Sequence, residues 1–502
     1  MQYDVIIGLE IHAELKTKSK MFCGCDNNAG GKEPNSVVCP ICLGHPGTLP
    51  VPNKQAIEWT ILTGLALDCK VNRLTKFDRK HYFYPDLPKG YQISQYDLPF
   101  VKNGKLEVDD EEVLITRIHL EEDTGKSTHP KDKSYSLVDY NRAGTPLMEL
   151  VTEPVIKNAE QAKEFCQLYQ QILRYLNISN ADMEKGEMRC EANISLQEQG
   201  KWKYKDGEIK SLGDYKLNNK VEVKNINSFK ALEKAINYEI KRQEKAIVSG
   251  EKIEQETRGW NDNDSKTVSQ RKKEGAADYR YFFEPDIPPL NIKSDWLIQI
   301  REKLCELPPA KIKRFKAEYS FSQDSAEIIA SDKQLADFTE RVISESRAWI
   351  IATGDDWERQ SNKLAKTASN WLISELFKHL NADGKTIKDI KITPENFAEF
   401  IILVHQDKVN STGAQTILAK MYNDGGDPSD IMLELGLEQN NNSEELTETI
   451  KKVIQENPKQ VIDYQKGKDA LLQFFVGRVM AETKGKSNPT ITRKLLIDLL
   501  KK

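Results

Sequence analysis

Several stretches of residues 1–290 alternate apolar and polar positions with period two, the spacing of strands packed on one face and wet on the other. In Gly8–Leu15, Leu9, Ile11, Ala13 and Leu15 share one face, and Glu10, His12 and Glu14 the other. Ile115–Glu122 sets Arg117, His119 and Glu121 opposite Ile118 and Leu120, with Glu122 and Asp123 at its end. Glu187–Ile194 alternates Glu187, Arg189, Glu191 and Asn193 with Met188, Cys190, Ala192 and Ile194. Val221–Lys224 adds Glu222 and Lys224, and Thr145–Leu150 carries Glu149. Two helices are predicted among these strands. In Asn158–Leu176, residues Ala162, Phe165, Tyr169, Ile172 and Leu176 recur every three or four positions behind an Asn158 N-cap. The second runs from about Ser228 to Ile247.

Glu284–Leu290 is Pro-rich and closes this region. From about 293 the pattern turns helical, with a soft Asp424–Pro428 linker and a polar Gln439–Ser443 run further on. The expectation is an α+β chain with a large mixed β-rich domain over 1–292, a helical domain over 293–405 and a small all-α tail over 406–502.

Composition changes this picture little. A chain of 502 residues with 38% hydrophobic and 30% charged positions and a net charge of −4 can bury large cores and carries no overall nucleic-acid signature. The last 52 residues differ: they hold twelve Lys/Arg against five Asp/Glu. Lys484 and Lys486 lie in a basic turn, with Arg493 and Lys494 just beyond. This is either a solvated helical face or a contact for a phosphate backbone, which needs Lys/Arg gathered on one surface. No run of about 18 apolar residues occurs, and the chain enters a strand at once, so a cytoplasmic protein without a membrane span is expected.

Any one alternating strand is most simply the wet face of a sheet. If the strands neighbour each other, however, Glu10, His12, Glu121, Glu122 and Glu149 form a group of carboxylates with an imidazole. Such a group repels itself without a cation. Mg²⁺ suits it, because Mg²⁺ takes oxygen ligands and keeps positions for substrate phosphates. Thr124-Gly125-Lys126-Ser127 ends like a phosphate-binding P-loop, but Leu120 stands where the first glycine is required. Lys126 can still meet a phosphate as a point charge.

Cys23-x-Cys25 and Cys39-x-x-Cys42 lie within twenty residues. Four thiols so spaced suit a tetrahedral, structural Zn²⁺. The alternative is four reduced cysteines in a loop. Cys69, Cys166, Cys190 and Cys305 are scattered and read as core residues.

The same segments, in order, resemble the B subunit of the aminoacyl-tRNA amidotransferase. They are Gly8–Leu15, Cys39–Gly44, His81–Gln95, His119–Ser127, Asp139–Leu147, Arg189–Ser195, Glu222–Phe229, Glu256–Gly259 and Asp278–Phe282, with a similar tail from Gly467 to Pro489. The resemblance implies a cradle-like catalytic domain, a helical domain and a tail that contacts tRNA. It implies that ATP phosphorylates the side-chain carboxylate of glutamyl-tRNA(Gln) or aspartyl-tRNA(Asn), and that ammonia then displaces phosphate. It further implies Mg²⁺ held by His12, Glu121, Glu122 and Glu149 with Glu10 beside them, and weaker substrate or phosphate contacts from Lys89, Lys126, Arg142 and Glu191. The chain carries no amidase signature. This accords with the heterotrimer that the resemblance implies, with a glutamine amidase subunit (A) and a small subunit (C). Lys201–Lys220 looks longer than the family's usual turn and reads as a surface hairpin. Two rivals stand beside this reading: a non-catalytic, zinc-containing tRNA-binding scaffold, and a ligase acting on a small carboxylic acid.

Overall fold

A computed structural model describes residues 3–272, 279–439, 443–483 and 486–501. Two compact units divide the chain, Met1–Leu307 and Pro308–Lys502. The arrangement is α+β, with the sheet in the first unit and helices throughout the second.

The first unit is organised by nine hydrogen-bonded strands. In chain order the elements used below are β1 (Tyr3–Glu14), β2 (Lys70–Val71), β3 (Asp78–His81) and β4 (Tyr91–Ser94), both outside the large sheet, β5 (Val101–Val108), β6 (Glu111–Glu122) and β7 (Pro146–Thr152). They continue with β8 (Met188–Glu198), the hairpin pair β9 (Trp202–Lys205) and β10 (Glu208–Ser211), β11 (Val221–Ile226), β12 (Glu256–Asn261) and β13 (Lys266–Lys272). The sheet runs β13-β12-β11-β8-β1-β7-β6-β5-β2, antiparallel except between β11 and β12.

One face of the sheet is covered. Ile7, Leu9, Ile11 and Ala13 of β1 are buried in a core shared with helices α1 (Lys54–Ala66), α2 (Ala159–Tyr175) and α3 (Phe229–Val248). Phe165, Tyr169 and Ile172 form the apolar stripe of α2, and the Asn158 side chain accepts from the Gln161 N–H as its N-cap. Ser228 caps α3 in the same way. The helix α1 comes so near β5 that a Cβ at Gly64 would lie 2.6 Å from the Val101 methyls.

The other face is open around β1, and register lays out its side chains in rows. Arg117, Val151, Glu10 and Glu191 form one row; His119, Glu149, His12 and Arg189 form the next. Gly8, Asn193 and Glu222 form a third.

In the second unit, one core runs from Phe338 to Met432 and a separate one joins Leu446, Ile450, Phe475, Val479 and Leu496. Among the described residues no helix is long and apolar enough to cross a membrane.

Candidate active site

Antiparallel pairing puts directly opposed side chains about 5 Å apart, so the His119–Glu149–His12 row is a contact row. The His12 Nε2 lies 3.2 Å from Glu149 Oε2 and 3.6 Å from Glu121 Oε1; the His119 Nε2 lies 3.3 Å from Glu149 Oε2. One ligand atom from each of His12, Glu121 and Glu149 falls within 4.8 Å of the others. All three groups are largely buried.

Burial alone would raise the Glu149 carboxyl, but His119 and His12 hold it well below the usual range. Burial disfavours the His12 imidazolium, yet Glu149 and Glu121 bring that imidazole up to about 9. Two carboxylates and two imidazoles thus lie in mutual contact. The His119 Nδ1 is buried without a hydrogen-bond partner. The donor set fits Mg²⁺, which accepts carboxylate oxygens and leaves positions for other ligands.

Glu10 belongs to a second trio with Glu191 and Glu222. Burial raises its carboxyl first, and Glu149, Glu191 and Glu222 add to that. Asn193 donates to Glu10 at 3.1 Å, and Lys224 Nζ lies 2.7 Å from Glu191 and 3.4 Å from Glu222. Glu122 stands apart from both trios. Its carboxylate takes the Lys89 ammonium and accepts from the Ile93 N–H at 3.1 Å.

Arg142 donates to Thr124 O and Gly125 O at 3.1 and 2.9 Å and so fixes the turn after β6. Lys126, just past that turn, is exposed. Asp123 receives Arg189, which also lies 3.3 Å from Glu14.

Lys80 on β3 joins the site without a signal in the sequence. Its ammonium sits 5.1 Å from the Tyr279 ring centre and 5.9 Å from that of Tyr82. Burial works against its charge, but Glu121 and Glu149 outweigh that and raise its pKa. Nothing in the local pattern of Asp78–His81 could have shown it, because the acids it faces lie on other strands.

The four cysteines meet as well. Cys23, Cys25, Cys39 and Cys42 bring their sulfurs within 4.8 Å of one another. The Cys39 N–H donates to the Cys42 Sγ at 3.1 Å, and the turn closes with Gly44 at φ +69°. The Cys23 thiol donates to Cys42 and is held up, while Cys42 comes down to about 5. Lys20, fully buried, places its Nζ 3.8 Å from that sulfur and 2.8 Å from Val37 O. Four sulfurs with an N–H···S bond and a nearby cation fit Zn²⁺.

Lys486, Arg493 and Lys494 are exposed at the start of the last helix, Pro489–Leu500; Lys484 lies outside the described residues.

The chain belongs to the GatB/GatE family. The family's catalytic-domain model matches residues 5–298, and a second model, described as the GatB domain, matches 357–500. Two relatives are each named as the B subunit of an aspartyl/glutamyl-tRNA(Asn/Gln) amidotransferase. One, from Caldanaerobacter subterraneus subsp. tengcongensis, is 44% identical over 506 residues, covering 100% of both chains. The other, from Thermotoga neapolitana, is 44% identical over 510 residues, covering 100% of this chain and 99% of its own.

Proposed function

We propose that this chain is the subunit of a tRNA-dependent amidotransferase that activates the side-chain carboxylate of misacylated glutamyl-tRNA(Gln), aspartyl-tRNA(Asn) or both, using ATP, and amidates it. A carboxylate does not yield to ammonia. Transfer of the γ-phosphoryl group makes it an acyl phosphate, and ammonia then forms the C–N bond as inorganic phosphate leaves. The ammonia comes from a separate glutamine amidase subunit (A), with a small subunit (C) completing the heterotrimer, in the cytoplasm.

The observation that carries this reading is the buried His12, Glu121 and Glu149 group beside the Glu10 trio on one open sheet face. His12, Glu121 and Glu149 would hold Mg²⁺, which when bound neutralises phosphate oxygens during transfer. His119 orients Glu149, and Lys80 adds a fixed positive charge beside the same carboxylates. Glu122 faces away from Glu121 on the same strand, and its pairing with Lys89 places the Lys89 loop at the end of β6. Arg142 holds the 123–125 turn through its carbonyls, and Lys126 remains available to the substrate. Cys23, Cys25, Cys39 and Cys42 would hold Zn²⁺ as a structural clamp. The helical tail over 406–502, through Lys486, Arg493, Lys494 and the flanking Lys484, meets the tRNA backbone.

The test is phosphate release from ATP by the chain with its co-purified partners, Mg²⁺ and ammonium, with and without glutamyl-tRNA(Gln). Release that requires the charged tRNA and falls by about 100-fold or more in Glu149→Ala is expected. Absence of any tRNA-dependent release would overturn the catalytic assignment and leave a tRNA-binding scaffold.

A further inference from the structure

Beyond the His119–Glu149–His12–Arg189 row, the open face carries one row more before β1 ends. Glu121, Leu147 and Glu14 stand side by side in it, and the Glu14 N–H donates to Glu187 O at 2.8 Å. The chain then leaves the sheet. The Lys16 N–H donates to Ile178 O at 3.0 Å, and its Nζ to Asn177 Oδ1 at 2.6 Å. After the turn that holds Cys23 and Cys25, the chain comes back beside this exit, where the Asn27 N–H donates to Lys18 O at 3.1 Å. A cavity of about 360 Å³ remains here, with Glu14, Thr17, Asn27, Asn28, Asn180 and Glu187 in its lining.

This lining is rich in acceptors. The Asn27 amide is fixed through its nitrogen, which donates to Leu15 O at 2.8 Å and to the Thr17 hydroxyl at 3.4 Å. Its Oδ1 is thereby left buried with no hydrogen-bond partner among the described residues. A buried acceptor so left calls for a donor from outside the chain. Glu14 and Glu187 add two carboxylates against one lining ammonium, that of Lys16, which is turned to Asn177. Arg189 lies 3.3 Å from Glu14 but is shared with Asp123. Such a lining suits a compact cation with several N–H donors, a primary ammonium. The Glu10 trio offers no equal place, because Lys224 Nζ already stands 2.7 Å from Glu191 and 3.4 Å from Glu222.

We infer that this cavity receives the α-ammonium of the aminoacyl ester, with Glu14 as its countercharge and Asn27 Oδ1 as a further acceptor, an inference that rests on the proposed amidation of misacylated tRNA. The spacing along β1 supports it. His12 and Glu14 project from one face of the strand, two residues or about 7 Å apart. In a glutamyl ester the side-chain carboxyl carbon and the α-nitrogen are separated by four bonds, about 5 Å when extended. The remainder is close to the length of a hydrogen bond. A carboxylate that meets phosphate beside His12 and Glu149 therefore carries its α-nitrogen to the Glu14 row. A carboxylate facing an ammonium there forms a charge-assisted bond and fixes the direction in which the side chain enters.

The test uses the chain with its partner subunits and two tRNAs, glutamyl-tRNA(Gln) and its 2-hydroxyglutaryl counterpart, in which a hydroxyl of similar size replaces the α-ammonium. Filter binding reads affinity, and tRNA-dependent phosphate release from ATP reads activation. Wild type is expected to bind and activate the hydroxy form about tenfold or more less well, the scale of a hydrogen bond to a charged group. Glu14→Gln should lose about that factor on glutamyl-tRNA and little on the hydroxy form, so that it no longer tells the two apart. Asn27→Ser removes the open acceptor and should narrow the discrimination in the same direction. KM for ATP should stay near wild type in both variants, with far-UV circular dichroism checking their fold. Equal use of the two tRNAs by wild type overturns the subsite even where release proceeds. So does an equal loss on both tRNAs in Glu14→Gln, or discrimination unchanged in both folded variants. Discrimination in binding that disappears in Glu14→Gln upholds the subsite even where release is absent, and that absence then overturns the activation alone.

Discussion

Lys20 is a fully buried lysine whose ammonium lies beside the cysteine cluster. Taking an ammonium out of water costs several kcal/mol unless something repays it. It meets Val37 O, Tyr140 O and the Cys42 sulfur. Four thiolates around Zn²⁺ carry a net charge of −2, and a fixed cation among them favours the charged, metal-binding form. Lys20→Met keeps most of the volume and removes the charge. If the four cysteines hold zinc, it should lower zinc affinity by about tenfold, read as the chelator concentration that strips the metal. Retention equal to wild type would mean that the lysine serves only to fill space. A Cys42→Ser control should lose zinc outright. The cysteine turn also packs against Lys89. A Cβ at Gly44 would lie 2.4 Å from Lys89 Cγ and 3.1 Å from its Cα, and the Lys89 ammonium holds Glu122.

At the scale of elements, α1 packs closely on β5. Gly64 sits inside a helix, where exchange for alanine would by propensity alone gain about 1 kcal/mol. Here the added methyl would meet three Val101 side-chain carbons at 2.6 to 2.8 Å. Both partners are buried in the core, so relief needs the helix to move, at about 1–3 kcal/mol. Gly64→Ala should therefore be neutral to destabilising by up to about 2 kcal/mol, and Gly64→Val clearly destabilising, in the denaturant midpoint of the first unit's unfolding. A stabilised Gly64→Val would refute the close approach.

The same contrast explains what could be read from the sequence. The faces of β1, β6 and β8 were legible because a strand with one packed side alternates, and Glu10, His12 and Glu121 fell on the side opposite the apolar residues. The Asn158 cap was legible because capping is local. Which strands become neighbours was not legible from local pattern. β1 pairs with residues near 150 and near 190, so Arg117 meets Glu149, and Lys224 meets Glu191, only through long-range strand order, while Lys80 meets its acids from a strand outside the large sheet. The separation of Glu122 from Glu121 follows from the alternation of their strand, whereas the Lys89 partner of Glu122 comes from a loop residue more than thirty positions earlier.

For the whole molecule, charge is divided against its sum. The chain carries −4 overall, while its last 52 residues hold seven more Lys/Arg than Asp/Glu. A long-range field from the net charge would repel a polyanion, so affinity for tRNA must come from a local surface whose phosphate contacts release counterions. Lys486, Arg493 and Lys494 are exposed at the start of one helix, whose Asn488 cap and buried Ser487 fix where they emerge. If these three side chains meet phosphates, each contributes close to one counterion. Replacing all three by alanine should then weaken tRNA binding and reduce the slope of log affinity against log salt by about 2 to 3. Filter binding of glutamyl-tRNA across a salt series reads both quantities. Weaker binding with an unchanged slope would mean that the substitutions act through the fold of the small helical core around Phe475 and Leu496. An unchanged affinity would move the tRNA contact elsewhere. The reduced slope alone identifies these side chains as the ones that exchange counterions for tRNA phosphates.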